Sequence, residues 1–252
     1  METTRNRSSE MMTNPENYGK VTIQMQSKRN WYNVLFTLSA IGMIQALVLL
    51  PIAIIAYTGG LAGDPDSPGF SLLYNFLSDL GRTVAYSGTS NLISSLIFNI
   101  SLFFTGVLLI PYFIALPKIF QGTREPLWFS IFGSVIGVFF ALTFVGASLT
   151  PSDLYMETHL MFGALSFISG LPIVVFHTFA ILGSPRFPNR YAVIYIALGV
   201  VLSIFLYSIF QTGPSEISLV VTIGQKFVVV SIMLCFLVQS LAAKKIINTS
   251  DS

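Results

Sequence analysis

From Val34 onward the chain is a series of long apolar runs separated by short polar stretches. A bilayer core about 30 Å thick takes about 20 apolar residues to cross as a helix. Six runs meet that length: Val34 to Tyr57, Leu92 to Ala115, Trp128 to Leu149, His159 to Leu182, Tyr191 to Gln211 and Ile217 to Ala243. The links after the second, third, fourth and fifth runs are short, which makes successive helices antiparallel neighbours. The pattern therefore predicts an all-α, polytopic membrane protein, with a single bundle of six transmembrane helices over 34–243. Residues 1–33 are polar, rich in Ser, Asn, Thr and Gln, and lack a sustained apolar period, so they read as a disordered cytoplasmic tail. Residues 244–252 read as a cytoplasmic C-terminal tail. The first run is too long, and its leader too extended, for a cleaved signal peptide, and is expected to stay as an anchor. No repeat relates the two halves of the sequence.

Within the first long loop, Leu72, Leu73, Phe76, Leu77 and Leu80 fall at helical spacing, with Ser71, Asn75, Ser78, Asp79 and Arg82 on the other face. This predicts a short amphipathic helix at the membrane interface, ended by Gly81. In that setting Asp79 and Arg82 would form an exposed pair of little energetic value.

Composition agrees with the pattern. Only 10% of the residues are charged and 53% are hydrophobic, too few charges to clothe a soluble domain. Eleven of the thirteen Lys and Arg residues gather in the N-terminal tail (Arg5, Arg7, Lys20, Lys28, Arg29), the second loop (Lys118, Arg124), the fourth loop (Arg186, Arg190) and the end (Lys244, Lys245). By the positive-inside rule both termini are cytoplasmic. Asp64, Asp66, Asp79, Asp153, Glu157 and Glu216 fall on the opposite, extracytoplasmic side. Since the basic residues report topology, no nucleic-acid partner is expected. Cys235 is the single cysteine, which excludes an intrachain disulfide and a cysteine-based zinc cluster. No cofactor or metal is expected.

Several polar residues break the apolar runs. His159 opens the fourth run, and Gly163, Ser166 and Gly170 continue its face towards His177, about 27 Å further on by helical rise. A stripe of small and polar residues faces other helices rather than lipid. His159 is thus expected in the mouth of the bundle, with His177 a packing residue near the other surface. Asn91, Ser95, Asn99 and Gly106 form a stripe on the second run, and Ser218, Thr222, Gln225 and Lys226 one on the sixth. Lys226 is about 14 Å into its run, where a charge costs at least about 3 kcal/mol, so it needs a partner or water. Gly133, Gly137 and Ala141 make a ridge suited to close helix approach.

With those residues in view, the chain resembles the uncharacterised prokaryotic six-helix membrane family called domain of unknown function 998. The resemblance rests on "NFLSDLG", on Asn91 opening the second run, on "IFNISLFFTGVLL" with Asn99 and Gly106, and on "TPSDLYMETHLMFGALSF" with His159. It covers about Leu35 to Leu241. A fainter similarity is to eukaryotic DRAM/Frag-type proteins, which also pair an "SD-G" loop with a later His. Those proteins include a factor for lipid remodelling of GPI anchors. The resemblance implies Ser78, Asp79, Gly81 and His159 as the matched positions and a prokaryotic plasma membrane as the location, but brings no established activity.

Taken together, the sequence predicts an extracytoplasmic polar pocket that binds or processes a lipid headgroup or another membrane-soluble ligand. Asp79, His159 and Ser78 are the catalytic candidates if there is turnover, being of the right chemical types for acid, base and nucleophile. Asn75, Asp79, Arg82, Asn99, Glu157, His159 and Lys226 are the binding candidates. Membrane lipids are the expected partners. In this reading Asp79 accepts hydrogen bonds or pairs a cation, His159 exchanges a proton, and Lys226 holds an anion or buried carboxylate. Two alternatives stand beside it: a small-solute or ion transporter, and a non-catalytic assembly or scaffolding protein.

Overall fold

The structure, a computed structural model, describes residues 15–212 and 218–249. Its helices are α1 (Pro15–Ala56), α2 (Leu92–Ala115), α3 (Arg124–Ser148), α4 (Met156–Leu182), α5 (Arg190–Thr212) and α6 (Leu219–Thr249). Each contains a segment long and apolar enough to cross a membrane. The protein is an integral, multi-pass membrane protein.

Two expectations need correction. The helix α1 begins at Pro15, so the stretch 15–33 is helical rather than a disordered tail; residues 1–14 lie outside those described. Extending an existing helix fixes one residue per hydrogen bond gained, so the polar stretch continues it even through Gly19, at a cost of about 1 kcal/mol. Pro15 sits where a missing N–H is harmless. The other correction concerns the first loop, where the amphipathic helix is replaced by turns and a 3₁₀ segment at Leu77–Gly81. Leu72 and Leu73 are exposed, whereas Leu77, Leu80, Asn75 and Asp79 are buried. The polar face turned inward because the bundle supplies it with partners, as described below. Glu216 and Ile217 lie outside the described residues.

Each helix packs on its neighbours in sequence, and α6 closes on α1, giving a ring of six helices. Asn33 at the start of the α1 crossing donates to Asn248 near the end of α6 across this seam. Burial follows size rather than polarity alone. On α3, Trp128, Phe132, Val135, Phe139 and Leu142 are exposed along one stripe, while Ser130, Gly133, Ser134, Gly137 and Ala141 are inside or half-buried. Lipid solvates the large apolar side chains, and small residues let the backbones approach.

Aromatic rings fill the axis in the half of the bundle nearer the chain termini. Phe36 of α1, Tyr112 and Phe113 of α2, Phe140 of α3, His177 of α4, Tyr195 of α5 and Phe236 of α6 meet there, so every helix contributes. The Tyr112 and Tyr195 hydroxyls are 2.8 Å apart and satisfy each other. His177 stacks on Phe113 at 6.0 Å between centroids, and lies so close to Gly133 that a Cβ there would be 2.8 Å from its Nε2. In the other half of the axis, the first loop enters the ring.

Candidate functional site

The first loop begins with a tight fold-back. Gly60 has φ 83°, and a Cβ on it would fall 2.2 Å from the backbone nitrogen of Ser87, so only glycine fits. The Tyr57 hydroxyl and the Asn75 amide both donate to the Gly60 carbonyl. Burial, together with the nearby Asp79 carboxylate, pushes the Tyr57 phenol up to about 12, so it stays a donor. Asp79 accepts at Oδ2 from Asn75 Nδ2 (3.1 Å) and from the backbone N–H of Phe76 (2.8 Å), which fixes the turn that opens the 3₁₀ segment.

Irregular backbone folded into a helix bundle, out of reach of water, must find hydrogen bonds within the protein. The polar stripes of α2 and α6 supply them. Asn91 donates to the carbonyls of Leu80 (3.2 Å) and Arg82 (2.9 Å) and accepts from Thr58 N–H. Ser95 and Asn99 both donate to the Gly81 carbonyl. From α6, Thr222 donates to Leu73 O, Lys226 Nζ donates to Asn75 O and Thr222 O, and Gln225 Oε1 accepts from Leu77 N–H. Lys226 thus holds backbone carbonyls, not the carboxylate or anion expected for it. A charged donor to a carbonyl is a strong hydrogen bond, and two of them offset much of the cost of its depth.

A third anchor comes from the loop between α3 and α4. Asp153 accepts from the backbone N–H groups of Thr83 and Val84, each at 3.0 Å, and from the Thr83 hydroxyl at 2.5 Å. Partial burial works against its charge, but these donors outweigh it and hold the carboxyl below its ordinary value. A carboxyl lowered in the fold stabilises it fully above the unfolded-state value near 3.9 and loses that contribution as pH falls through the folded value. Asp79 has the opposite sign: burial raises it above its ordinary value, against the hydrogen bonds from Asn75 and Phe76. Its ionisation penalises the fold as pH rises through that raised value. Thermal melts from pH 3 to 7 are expected to show an acid-side loss of stability that Asp153→Asn removes. A melt profile identical in the variant would show that this anchor carries no weight.

Two adjoining cavities lie beside the loop. The larger offers about 250 Å³ to the centres of water-sized molecules, the smaller about 90 Å³. Both are lined by Ser78, His159, Gly163, Phe167 and Gln225. The larger has a polar wall of Asp79, Tyr74, Tyr86 and Ser152 and an apolar wall from α4 and α5 that includes Leu160, Phe205, Leu206 and Ile209. The smaller runs towards Thr105, Phe144, Ile232 and Met233, on the side of the ring-filled half. His159 Nδ1 is 2.8 Å from the Thr150 carbonyl. A carbonyl only accepts, so Nδ1 carries a proton, and the neutral ring keeps its lone pair on Nε2.

The candidate residues thus divide. Asp79, Ser78 and His159 line the larger cavity together. Asn75, Asn99 and Lys226 are turned to the loop backbone instead. Arg82 lies 4.0 Å over the Tyr86 ring and donates to Val84 O, and Glu157 is exposed; neither lines a cavity. The Asp79 carboxylate is hydrogen-bonded to Asn75 and Phe76, not to Ser78 or His159. Among the described residues, no three His, Cys, Asp or Glu side chains group closely enough to hold a metal ion. The sequence reading passed over Tyr74, Tyr86 and Ser152. Ser152 had the clearest signal, since it lies inside "TPSDL" between a helix end and His159.

Fold and site define the protein as a six-helix membrane protein whose first loop is folded into one end of the bundle beside a cavity. No family model, curated protein or solved structure matches the chain.

Proposed function

We propose that the protein binds a lipid or similar membrane-soluble amphiphile in the paired cavities. The observation that carries this reading is the lining itself: one wall is polar, with Asp79, Ser78 and His159, and the rest is apolar and continues between the helices. Such a space fits a molecule with a polar end and an apolar body. The concentration of Lys and Arg in the terminal segments and even-numbered loops supports placing the cavity on the extracytoplasmic side. A plasma-membrane setting is part of the same proposal. Binding is favoured over transport because the axis beyond the smaller cavity is packed with rings from all six helices. Turnover has less support, because Asp79 spends its hydrogen bonds on the loop rather than on orienting His159.

The test is mass spectrometry of the lipids retained on purified wild type, Asp79→Asn and His159→Ala, with the lipids of the cells that make each. One lipid class enriched on the wild type and reduced about tenfold or more in both variants is the expected result, a change of ~1.4 kcal/mol or more. Retained lipids that simply mirror the membrane in all three proteins would sink the proposal. A cellular lipid species that changes with the wild type alone would convert binding into turnover.

A further inference from the structure

We infer that the occupant of the cavity has an uncharged, hydroxyl-bearing polar end, and that anionic phospholipid headgroups are excluded. This rests on the lipid-binding reading above and specifies its ligand. The first observation is where the cations are. No lysine or arginine among the described residues lines either cavity. Arg82 is held on Val84 O and the Tyr86 ring, and Lys226 on two backbone carbonyls. A phosphate entering here would meet no cationic side chain in the lining: Arg82 and Lys226 act on the Asp79 carboxyl from behind the loop, and Asp79 itself, an acid, offers an anion no counter-charge.

The hydrogen-bonding capacity left over is of both kinds. Ser152 Oγ is fully buried, has no partner in the protein and belongs to a residue lining the larger cavity. A buried hydroxyl left unpaired is unfavourable, so Ser152 gains from any partner that comes within its reach. Ser78 and Tyr86 add hydroxyls to the lining, and Gln225 keeps its amide N–H groups, having spent its oxygen on Leu77. Acceptor capacity comes from His159 Nε2 and from the second oxygen of Asp79, since both of its hydrogen bonds fall on Oδ2. A wall that both donates and accepts is matched by hydroxyl groups, which do both. An amine is a poorer match than a hydroxyl. It would need Asp79 ionised, and burial drives that carboxyl towards its neutral form.

The test uses the purified full chain in detergent micelles with three single-lipid probes: dioleoylglycerol, dioleoylphosphatidic acid with the same chains, and oleylamine. Binding is read as lipid retained through gel filtration and as a shift in Tm. The control is Gly163→Leu. A Cβ at Gly163 meets nothing within 4 Å, and the residue lines both cavities, so the leucine occupies the space without a backbone clash. Dioleoylglycerol is expected to bind wild type at least about tenfold better than either charged probe, with binding lost in Gly163→Leu. If phosphatidic acid or oleylamine binds as well or better and is also lost in Gly163→Leu, the headgroup inference is overturned while lipid binding stands. Should Gly163→Leu change the retention of none of the three, lipid binding at this cavity fails, and the inference falls with it.

Discussion

Gly106→Ala is expected to destabilise the protein by about 2 kcal/mol, although it adds one methyl group to a helix. At this crossing of α2 and α3 the added Cβ would lie 2.6 Å from the Ala141 carbonyl oxygen and 3.1 Å from the Val145 nitrogen. Both are helix backbone atoms, so relief requires the two helices to move apart. Overpacking of this kind costs roughly 1–3 kcal/mol, and a contact with backbone belongs at the upper end. Alanine's better helix propensity returns about 0.5–1 kcal/mol. Gly163→Ala is the comparison, because its methyl group enters open space and only the propensity gain remains. Unfolding in detergent should separate the two variants, Gly106→Ala melting below wild type and Gly163→Ala at or above it. Equal melts would mean that α2 and α3 do not approach as described.

Asn91→Ala is expected to cost about 1–3 kcal/mol and to loosen the first loop selectively. The side chain is buried and bridges three backbone groups: Thr58 N–H, Leu80 O and Arg82 O. Leu80 O keeps the Ser94 hydroxyl as a second partner, but the other two, only partly shielded from water, lose a bond. Each buried group left unsatisfied costs about 1–3 kcal/mol. Hydrogen exchange gives the decisive measurement. Amides of residues 57–91 should exchange faster in the variant, while those in the middles of α3, α4 and α5 keep their protection. Uniform loss along the whole chain would instead make Asn91 a residue of the global fold.

The six spans were legible because crossing a bilayer demands length and hydropathy that nothing else in a sequence imitates. The first loop was not. Leu72, Leu73 and Phe76 fit a helical period, yet two of the three are exposed, since the period cannot say whether an interface or the bundle receives the segment. The polar stripes were equally visible and equally ambiguous. Asn99 and Lys226 look the same in a sequence whether they await a ligand or hold a carbonyl of Gly81 or Asn75. Burial of irregular backbone creates a demand for donors, and that demand arises only once the loop is known to fold inward. His159 was easier to place, because small residues continue its face down α4 and turn that face towards the other helices.

The anchors of the first loop also set an order of events. Leu73, Asn75 and Leu77 depend on Thr222, Lys226 and Gln225, which follow them by 148 to 151 residues. During synthesis the loop is made early, between the first two helices, but its hydrogen bonds wait for the sixth. Until then α2 crosses with Asn91, Ser95 and Asn99 only part of the way to their final partners. Contacts so distant in sequence form late, after the chain has gone through the cost of closing the intervening length. A segment that leaves the ribosome well before α6 therefore reaches its native shape only after it.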